Sequence, residues 1–175
     1  KYYWLRIVDD GFNNPISIPV IIARGTEPGP TLGLTAAVHG NELNGIPVIQ
    51  RLFTEIDAKE LRGTIIGVPV VNVPAFMRKK RRFNDGVDLN HIMPGKSNGT
   101  VSQIYAHRVV TRIINQFDYL IDLHTASVGR VNSYYVRADM SDPIVNKMTR
   151  LQNAQIIVHN PPNDGTLRGT ANEMN

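Results

Sequence analysis

Three side chains in this sequence could together hold a catalytic metal ion. His39 follows the apolar run TLGLTAAV, with Glu42 shortly after it, and a second apolar run, YLIDL, ends at His124. Two histidines and one carboxylate, with the fourth position open, are the ligand set of a catalytic zinc rather than a structural one. A single histidine at the end of an apolar strand is more often a hydrogen-bonded core residue. Two such histidines with a nearby carboxylate favour metal binding.

Two predicted strands and one predicted helix position these side chains. The strands cover 31–38 and 118–124, and the apolar spacing over 41–56 predicts a helix with one buried face. Buried strands of an α/β sheet deliver the polar residues at their ends to one edge of the sheet. Asp122 shares a side of its strand with His124, so it could either orient a ligand histidine or be a buried structural residue.

The rest of the chain alternates between strand and helix patterns. Pro19 predicts an edge or bulged position for its strand, and a turn is predicted over 161–165. The alternation predicts an α/β fold with a mostly parallel or mixed central sheet flanked by helices. We expect one domain over 1–175, because no repeat or linker divides the chain. Further strands are predicted over 1–8, 16–24, 64–71, 131–137 and 156–159, and further helices over 100–117, 142–153 and 169–174.

The composition excludes several classes of protein. The chain has no cysteine, so disulfides and thiolate metal sites are excluded and His, Asp or Glu must hold any metal. Apolar residues make up 42% of the chain and charged residues 19%, which is ordinary for a globular protein. No apolar stretch is long enough to cross a bilayer, and no secretory signal pattern opens the sequence. We therefore expect a cytoplasmic protein that does not bind membranes.

A long segment with little periodicity, residues 77–98, contains the basic run Arg78–Arg82. The net charge is +4, and this run could contact nucleic acid. However, no aromatic residue beyond Phe83 and no nucleic-acid-binding motif accompanies it, so nucleic acid is not expected as a partner. A long irregular segment is usually functional or disordered. We predict that this loop contributes arginines to the binding of an anionic small-molecule substrate, and a mobile surface loop is the alternative. Whether the chain forms a homo-oligomer is left open.

Five segments carry a resemblance that extends over most of the chain: GPTLGLTAAVHGNELNGIPVIQRL, NVPAF, RRFNDGVDLNHIMPG, YLIDLHT and GTLRGTANEMN. In this order they resemble the succinylglutamate desuccinylase/aspartoacylase family of zinc carboxypeptidase-like hydrolases. The resemblance implies one zinc ion per chain, held by His39, Glu42 and His124. It also implies that Arg82 stabilises the substrate carbonyl oxygen, with Arg81 beside it as a substrate-binding residue.

The sequence departs from the family pattern at two places. In the family, an arginine that clamps a substrate carboxylate follows the Asp-Leu-Asn tripeptide, whereas this chain has His91 after Asn90. The resemblance implies that Asn90 and its neighbour His91 bind the substrate, with Asn90 on the substrate carboxylate. An imidazole cannot reproduce the bidentate contact of a guanidinium, so a preference for an acidic N-acyl amino acid is left open, and a substrate with a different or missing carboxylate is the alternative. The family's catalytic glutamate lies in a strand beyond the last matched segment. We therefore expect a domain truncated at its C-terminus and assign Glu173 no role.

The activity implied by the resemblance is zinc-dependent hydrolysis of an amide bond in a small N-acyl amino acid or related compound. Zinc would activate water and polarise the scissile carbonyl group. Two alternatives remain open from the sequence: a metal-binding but catalytically inactive domain, and a zinc carboxypeptidase acting on peptides.

Overall fold

The computed structural model describes residues 1–126, 129–162 and 165–174. Asn163 and Asp164, in the turn predicted over 161–165, lie outside the described residues. The strands are β1 (Tyr2–Asp9), β2 (Pro15–Arg24), β3 (Glu27–Ala36), β4 (Arg62–Val68), β5 (Tyr119–Leu123), β6 (Tyr135–Ala138) and β7 (Ile156–His159). The α-helices are α1 (Gly45–Glu55), α2 (Val73–Met77), α3 (Val101–Arg112), α4 (Pro143–Leu151) and α5 (Leu167–Glu173).

Five of the strands form a mixed central sheet in the order β1-β2-β4-β3-β5. β3 is parallel to both of its neighbours, β4 and β5, whereas β2 is antiparallel to β1 and β4. The predicted α/β fold with a mixed sheet is confirmed. The strand and helix pattern did not reveal that β6 and β7 form a separate parallel pair. Because β3 and β5 run in the same direction, their carboxyl ends meet at one edge of the sheet.

Helices cover both faces of the sheet. Ile49 of α1 packs with Leu34 of β3 on one face, and Val109 of α3 lies in the larger cluster on the other. Alternate residues of a strand point to opposite faces, so Gly33 lies on the α3 side. A Cβ atom at Gly33 would lie 2.1 Å from the ring of Phe117, so only glycine allows this close packing.

The boundaries of several elements follow from local chemistry. α1 begins at Gly45 rather than at 41, and Pro47 therefore lies in its first turn, where a missing amide costs little. Thr100, the first residue of the helix predicted over 100–117, caps α3 in a reciprocal capping box. Pro19 lies in the part of β2 that pairs only with β1, since pairing with β4 begins at Ile21. None of the helices within the described ranges has the length and apolar character needed to cross a membrane.

Candidate metal centre

The carboxyl ends of β3 and β5 bring the predicted ligands together. Ala36 is paired with Leu123, so His124 follows directly at the edge of the sheet. On the β3 side the chain first bends at Ala37, whose φ of +51° is in the left-handed region, and then reaches His39. Glu42 follows in a turn, where its amide donates to the carbonyl oxygen of His39 at 3.0 Å.

A buried asparagine holds this turn in place. The Asn72 amide nitrogen donates to the carbonyl oxygen of Val38 at 3.0 Å, and its Oδ1 accepts from the backbone amide of Ala75 at 3.2 Å. Gly40 packs against the start of α2, where a Cβ atom would lie 2.3 Å from the backbone of Ala75. The backbone that carries His39 is therefore fixed by one polar side chain and by one position that has no room for a side chain.

The three predicted ligands converge on a small volume. One atom from each of His39, Glu42 and His124 can be chosen so that all lie within 4.8 Å of one another. His39 Nδ1 is 2.9 Å from Glu42 Oε1, and His124 Nδ1 is 3.0 Å from Glu42 Oε2. The side chains of His39 and Glu42 are 5% and 4% exposed, whereas that of His124 is 32% exposed. The cluster therefore has a buried floor and one open side.

A carboxylate holds the far nitrogen of each imidazole ring. His39 Nε2 lies 3.1 Å from Asp88 Oδ1, and His124 Nε2 lies 2.7 Å from Asp122 Oδ2. The other oxygen of Asp122 accepts from the hydroxyl group of Thr35 at 2.7 Å. A carboxylate partner at Nε2 favours the tautomer that has its proton there, which leaves the Nδ1 lone pair for a metal. Asp122 thus makes the contact expected of an orienting residue.

The charges of the cluster are strongly coupled. Burial raises the pKa of Glu42, but the neighbouring imidazoles of His124 and His39 and the hydrogen bond from the Thr125 amide outweigh it and hold this pKa well below its usual range. The negative charge of Asp122 is the largest influence on His124 and raises the pKa of this imidazole to about 10. In the absence of a cation, protons on the histidines therefore balance the ionised carboxylates.

The cluster fits a divalent metal. His39 Nδ1 is buried and has no hydrogen-bond partner within the described residues, although it faces Glu42 Oε1 at 2.9 Å. An unpartnered buried nitrogen is costly, and a shared cation between the nitrogen and the carboxylate would remove this cost. Two imidazole nitrogens and one carboxylate oxygen are also a donor set that suits zinc.

The two neighbouring arginines point in different directions. Arg81 Nη1 donates to Glu42 Oε1 at 2.7 Å, and its Nε lies 3.4 Å from Asp88 Oδ2. Arg82 is exposed, and its Nη1 donates to the carbonyl oxygen of Gly86 at 3.4 Å. The structure therefore brings Arg81 into the cluster and not Arg82, whose catalytic role stays a prediction.

The remaining predicted residues, Asn90 and His91, differ in their relation to the cluster. The Asn90 amide donates to Asp88 Oδ1 at 3.0 Å, and Asn90 Oδ1 accepts from the backbone of Leu167 at 2.8 Å, which ties α5 to this loop. His91 is exposed, as is Glu173 at the end of α5. The structure thus places Asn90 next to the cluster and leaves His91 facing solvent.

Sequence reasoning missed the contacts of Asp88 and Arg168. Asp88 caps a short 3₁₀ turn, and an aspartate directly before Leu89-Asn90 could have indicated this cap. The contact of Asp88 with His39 is not indicated by any neighbouring residues in the sequence. Arg168 is half-buried, and its pKa is lowered by burial and by the charge of Arg137. The charge of Asp122, the carboxylate that contacts His124, also acts on Arg168 and opposes this shift.

Comparison with known proteins agrees with this fold and shows the family of the chain. Residues 28–175 match the family model of the succinylglutamate desuccinylase/aspartoacylase catalytic domain. The chain therefore belongs to this family, and the resemblance predicted from the sequence is confirmed. It is 33% identical over 118 residues to N-alpha-acetyl-L-2,4-diaminobutyric acid deacetylase of Halomonas elongata, covering 67% of this chain and 34% of that protein.

Two solved structures show the same architecture. A succinylglutamate desuccinylase/aspartoacylase from Rhodobacter sphaeroides is 29% identical, with a TM-score of 0.70 over 85% of this chain and 47% of that one. A succinylglutamate desuccinylase from Silicibacter sp. TM1040 is 22% identical, with a TM-score of 0.81 over 99% of this chain and 56% of that one. The chain thus spans about a third of the curated relative and about half of each solved structure.

Proposed function

We propose that this chain is the metal-binding part of a zinc-dependent deacylase that hydrolyses the amide bond of a small N-acyl amino acid or related compound. The observation that carries the proposal is the arrangement of His39 and His124. Both rings direct Nδ1 towards Glu42, and both are held at Nε2 by a carboxylate. The similarity to a deacetylase of an N-acetylated diamino acid supports amide hydrolysis as the reaction.

In this proposal each residue of the cluster has a defined task. His39, Glu42 and His124 hold one zinc ion, which supplies Lewis acidity to activate water near neutral pH and to polarise a carbonyl group. Asp88 and Asp122 keep the proton of each imidazole on Nε2 and orient the ring. The open side at His124 is where a substrate enters, because the other two ligands are buried.

Two arginines compete for the role of stabilising negative charge on the substrate carbonyl oxygen. The family resemblance favours Arg82, whereas the contacts of Arg81 with Glu42 and Asp88 favour Arg81. Loss of one such donor lowers kcat by about 10²–10³-fold. Comparing kcat of the zinc-saturated Arg81→Met and Arg82→Met variants separates the two assignments, since zinc saturation compensates for the lost contact of Arg81 with Glu42 and only the donor to the oxygen should then give this loss.

Substrate contacts are assigned to Asn90, His91 and Arg168. Asn90 Oδ1 is already occupied by the amide of Leu167, so its amide nitrogen is the group that can donate to a substrate. Within the described residues, the guanidinium of Arg168 donates to the carbonyl oxygens of Asn160 and Pro161. These partners are neutral and Arg168 forms no ion pair within the described residues, although the charges of Asp139 and Asp122 act on it, so a substrate carboxylate is a suitable partner.

The test is zinc content and hydrolysis measured on the full-length protein purified without chelators. We expect one zinc per chain and release of the free amine from at least one of N-acetyl-2,4-diaminobutyrate, N-acetylaspartate and N-succinylglutamate. His124→Ala should lose both zinc and activity. His107→Ala, which removes a histidine from α3 outside the cluster, should keep both.

Each alternative function gives a different result in the same experiment. A protein that holds zinc but hydrolyses none of the substrates, nor peptides, would be an inactive metal-binding domain. Removal of C-terminal residues from peptides in preference to deacylation would indicate a carboxypeptidase. Absence of stoichiometric zinc from a folded protein would refute the proposed metal centre itself.

A further inference from the structure

The basic run Arg78–Arg82 lines an open pocket next to the metal centre. Its volume is about 320 Å³, and four of its lining residues are the cationic side chains Arg78, Lys80, Arg81 and Arg82. Phe83 also lines the pocket, and this residue is only 3% exposed. The function proposed above uses Arg81 and Arg82 at one side of this pocket and assigns nothing to Arg78 and Lys80.

The walls of the pocket are held in place by contacts on several sides. Phe83 is anchored in the core, with its ring centroid 5.0 Å from that of Tyr105. The amide of Lys80 donates to the carbonyl oxygen of Ala75 at 3.0 Å, which ties the run to the end of α2. Arg78 Nη1 donates to Asn84 Oδ1 at 2.9 Å across the pocket. The cations are therefore presented by a fixed backbone rather than by a freely moving loop.

The positive charge of the pocket is largely uncompensated. Arg81 forms ion pairs with Glu42 and Asp88, but within the described part of the chain Arg78, Lys80 and Arg82 form none. Like charges that line one concavity repel each other and focus a positive potential inside it. Binding of an anion removes the repulsion and gains charge-assisted hydrogen bonds.

We propose that this pocket binds a small dianion, a compact group with two or more anionic oxygens. Such a group can come from an oxyanion such as phosphate or sulfate, or from a dicarboxylate. Lys80 and Arg78 supply charge from one side, and Arg81 contacts the anion from the side of the metal centre. The site is separate from the contacts assigned to Asn90, His91 and Arg168.

Arg81 couples this pocket to the metal centre, a part of the proposal that rests on the proposed zinc site. An anion in the pocket draws the guanidinium of Arg81 away from Glu42 Oε1, with which it makes a 2.7 Å hydrogen bond. The released carboxylate of Glu42 and the negative charge of the bound anion both favour binding of a divalent cation at the metal centre. Anion binding therefore raises the affinity for zinc, and by linkage zinc raises the affinity for the anion to the same degree.

The first experiment measures anion binding to the metal-free protein by calorimetric titration with sulfate and, separately, with succinate, at constant ionic strength set with chloride. We expect saturable binding of one anion per chain, weakened at least fivefold in Lys80→Gln. Lys79→Gln is the matched control, because it removes the same charge from the same run at a residue that does not line the pocket; its affinity should stay within twofold of wild type. The tighter of the two probes identifies an oxyanion or a carboxylate as the ligand.

The second experiment measures zinc affinity by chelator competition with and without saturating sulfate. We expect sulfate to raise the zinc affinity of the wild type at least threefold, and to have less than a twofold effect in Arg81→Met. A protein that binds no zinc would refute both the coupling and the proposed function. The anion site itself would still be tested by the titration of the metal-free protein.

Three results would overturn the anion site. The first is sulfate and succinate binding that does not saturate. The second is an equal loss in Lys79→Gln and Lys80→Gln, which would indicate a general surface charge. The third is tight, steeply salt-dependent binding of a single-stranded oligonucleotide that sulfate does not compete, which would identify the run as a nucleic-acid contact.

Discussion

Replacing Asp88 by Asn tests how much the partner of an imidazole ring contributes to metal binding. Asp88 Oδ1 accepts from the amide of Asn90 at 3.0 Å and also contacts His39 Nε2 at 3.1 Å. The carbonyl oxygen of the new asparagine can keep both contacts, so the geometry is retained and the charge is lost. Its amide group must then face Arg81, whose Nε lies 3.4 Å from Asp88 Oδ2, and two donors repel each other.

The expected loss follows from this geometry. Removing a partner of a metal-bound histidine lowers metal affinity by about 10–100-fold. Because Asp88→Asn keeps the hydrogen bond to His39, we expect a loss near the lower limit, about tenfold or about 1.4 kcal/mol. The assay is competition for zinc with a chromophoric chelator, together with circular dichroism and thermal unfolding of the metal-free protein.

Asp85→Asn is the matched control for this measurement. Asp85 belongs to the same loop and accepts from the amide of Val87 at 3.1 Å, so the substitution changes the same charge and keeps a local hydrogen bond. Its zinc affinity should stay within twofold of wild type. A natively folded Asp88→Asn variant with wild-type zinc affinity would refute the argument that this carboxylate prepares His39. An equal loss in both variants would attribute the effect to net charge alone.

Three further outcomes are expected. Gly40→Ala should lower the free energy of unfolding by about 1–3 kcal/mol and weaken zinc binding, because the added methyl group overlaps the backbone of Ala75. Chemical denaturation measures the loss of stability, and chelator competition measures the loss of zinc affinity. Asp122 raises the pKa of His124 to about 10, so zinc must displace a proton from this imidazole when it binds. The apparent zinc affinity should therefore rise from pH 7 towards pH 10, and calorimetry at pH 7 should show release of about one proton or more. A zinc affinity that does not depend on pH would contradict this. Tyr105→Phe should cost about 1–2 kcal/mol of stability by denaturant titration while leaving zinc binding unchanged, because its buried hydroxyl group donates at 2.8 Å to a backbone carbonyl oxygen outside the cluster.

The sequence was sufficient to predict which strands approach each other at the site, but not which side chains face it. His39 and His124 follow apolar runs of strand length, and parallel strands end at one edge, so their proximity could be inferred from pattern alone. The choice between Arg81 and Arg82 could not, because adjacent residues in an irregular loop point in directions set by the local backbone. The contact between Asp88 and His39 joins segments 49 positions apart and leaves no periodic trace.

The same limit applies to the fold. Alternating strand and helix patterns predicted the α/β class, yet they do not say which strand pairs with which. β6 and β7 therefore looked like further strands of the central sheet, whereas they pair only with each other among the described strands. Turn positions that depend on a missing side chain, such as Gly40, were also hidden. Their role depends on the element that packs against them, here α2.

The separation of the ligands along the chain determines when the metal centre forms during folding. His39 and Glu42 are three positions apart, but Glu42 and His124 are 82 positions apart. Glu42 and His124 therefore meet only after β3 and β5 have paired and closed a long loop. Such contacts form slowly, because the entropy of loop closure is lost before the contacts can stabilise the chain. A ligand that requires a late contact stabilises the native state more than the folding transition state. We therefore expect zinc to slow the unfolding of this domain and to leave its folding rate almost unchanged, so that bound metal would lengthen the lifetime of the folded protein rather than hasten its assembly.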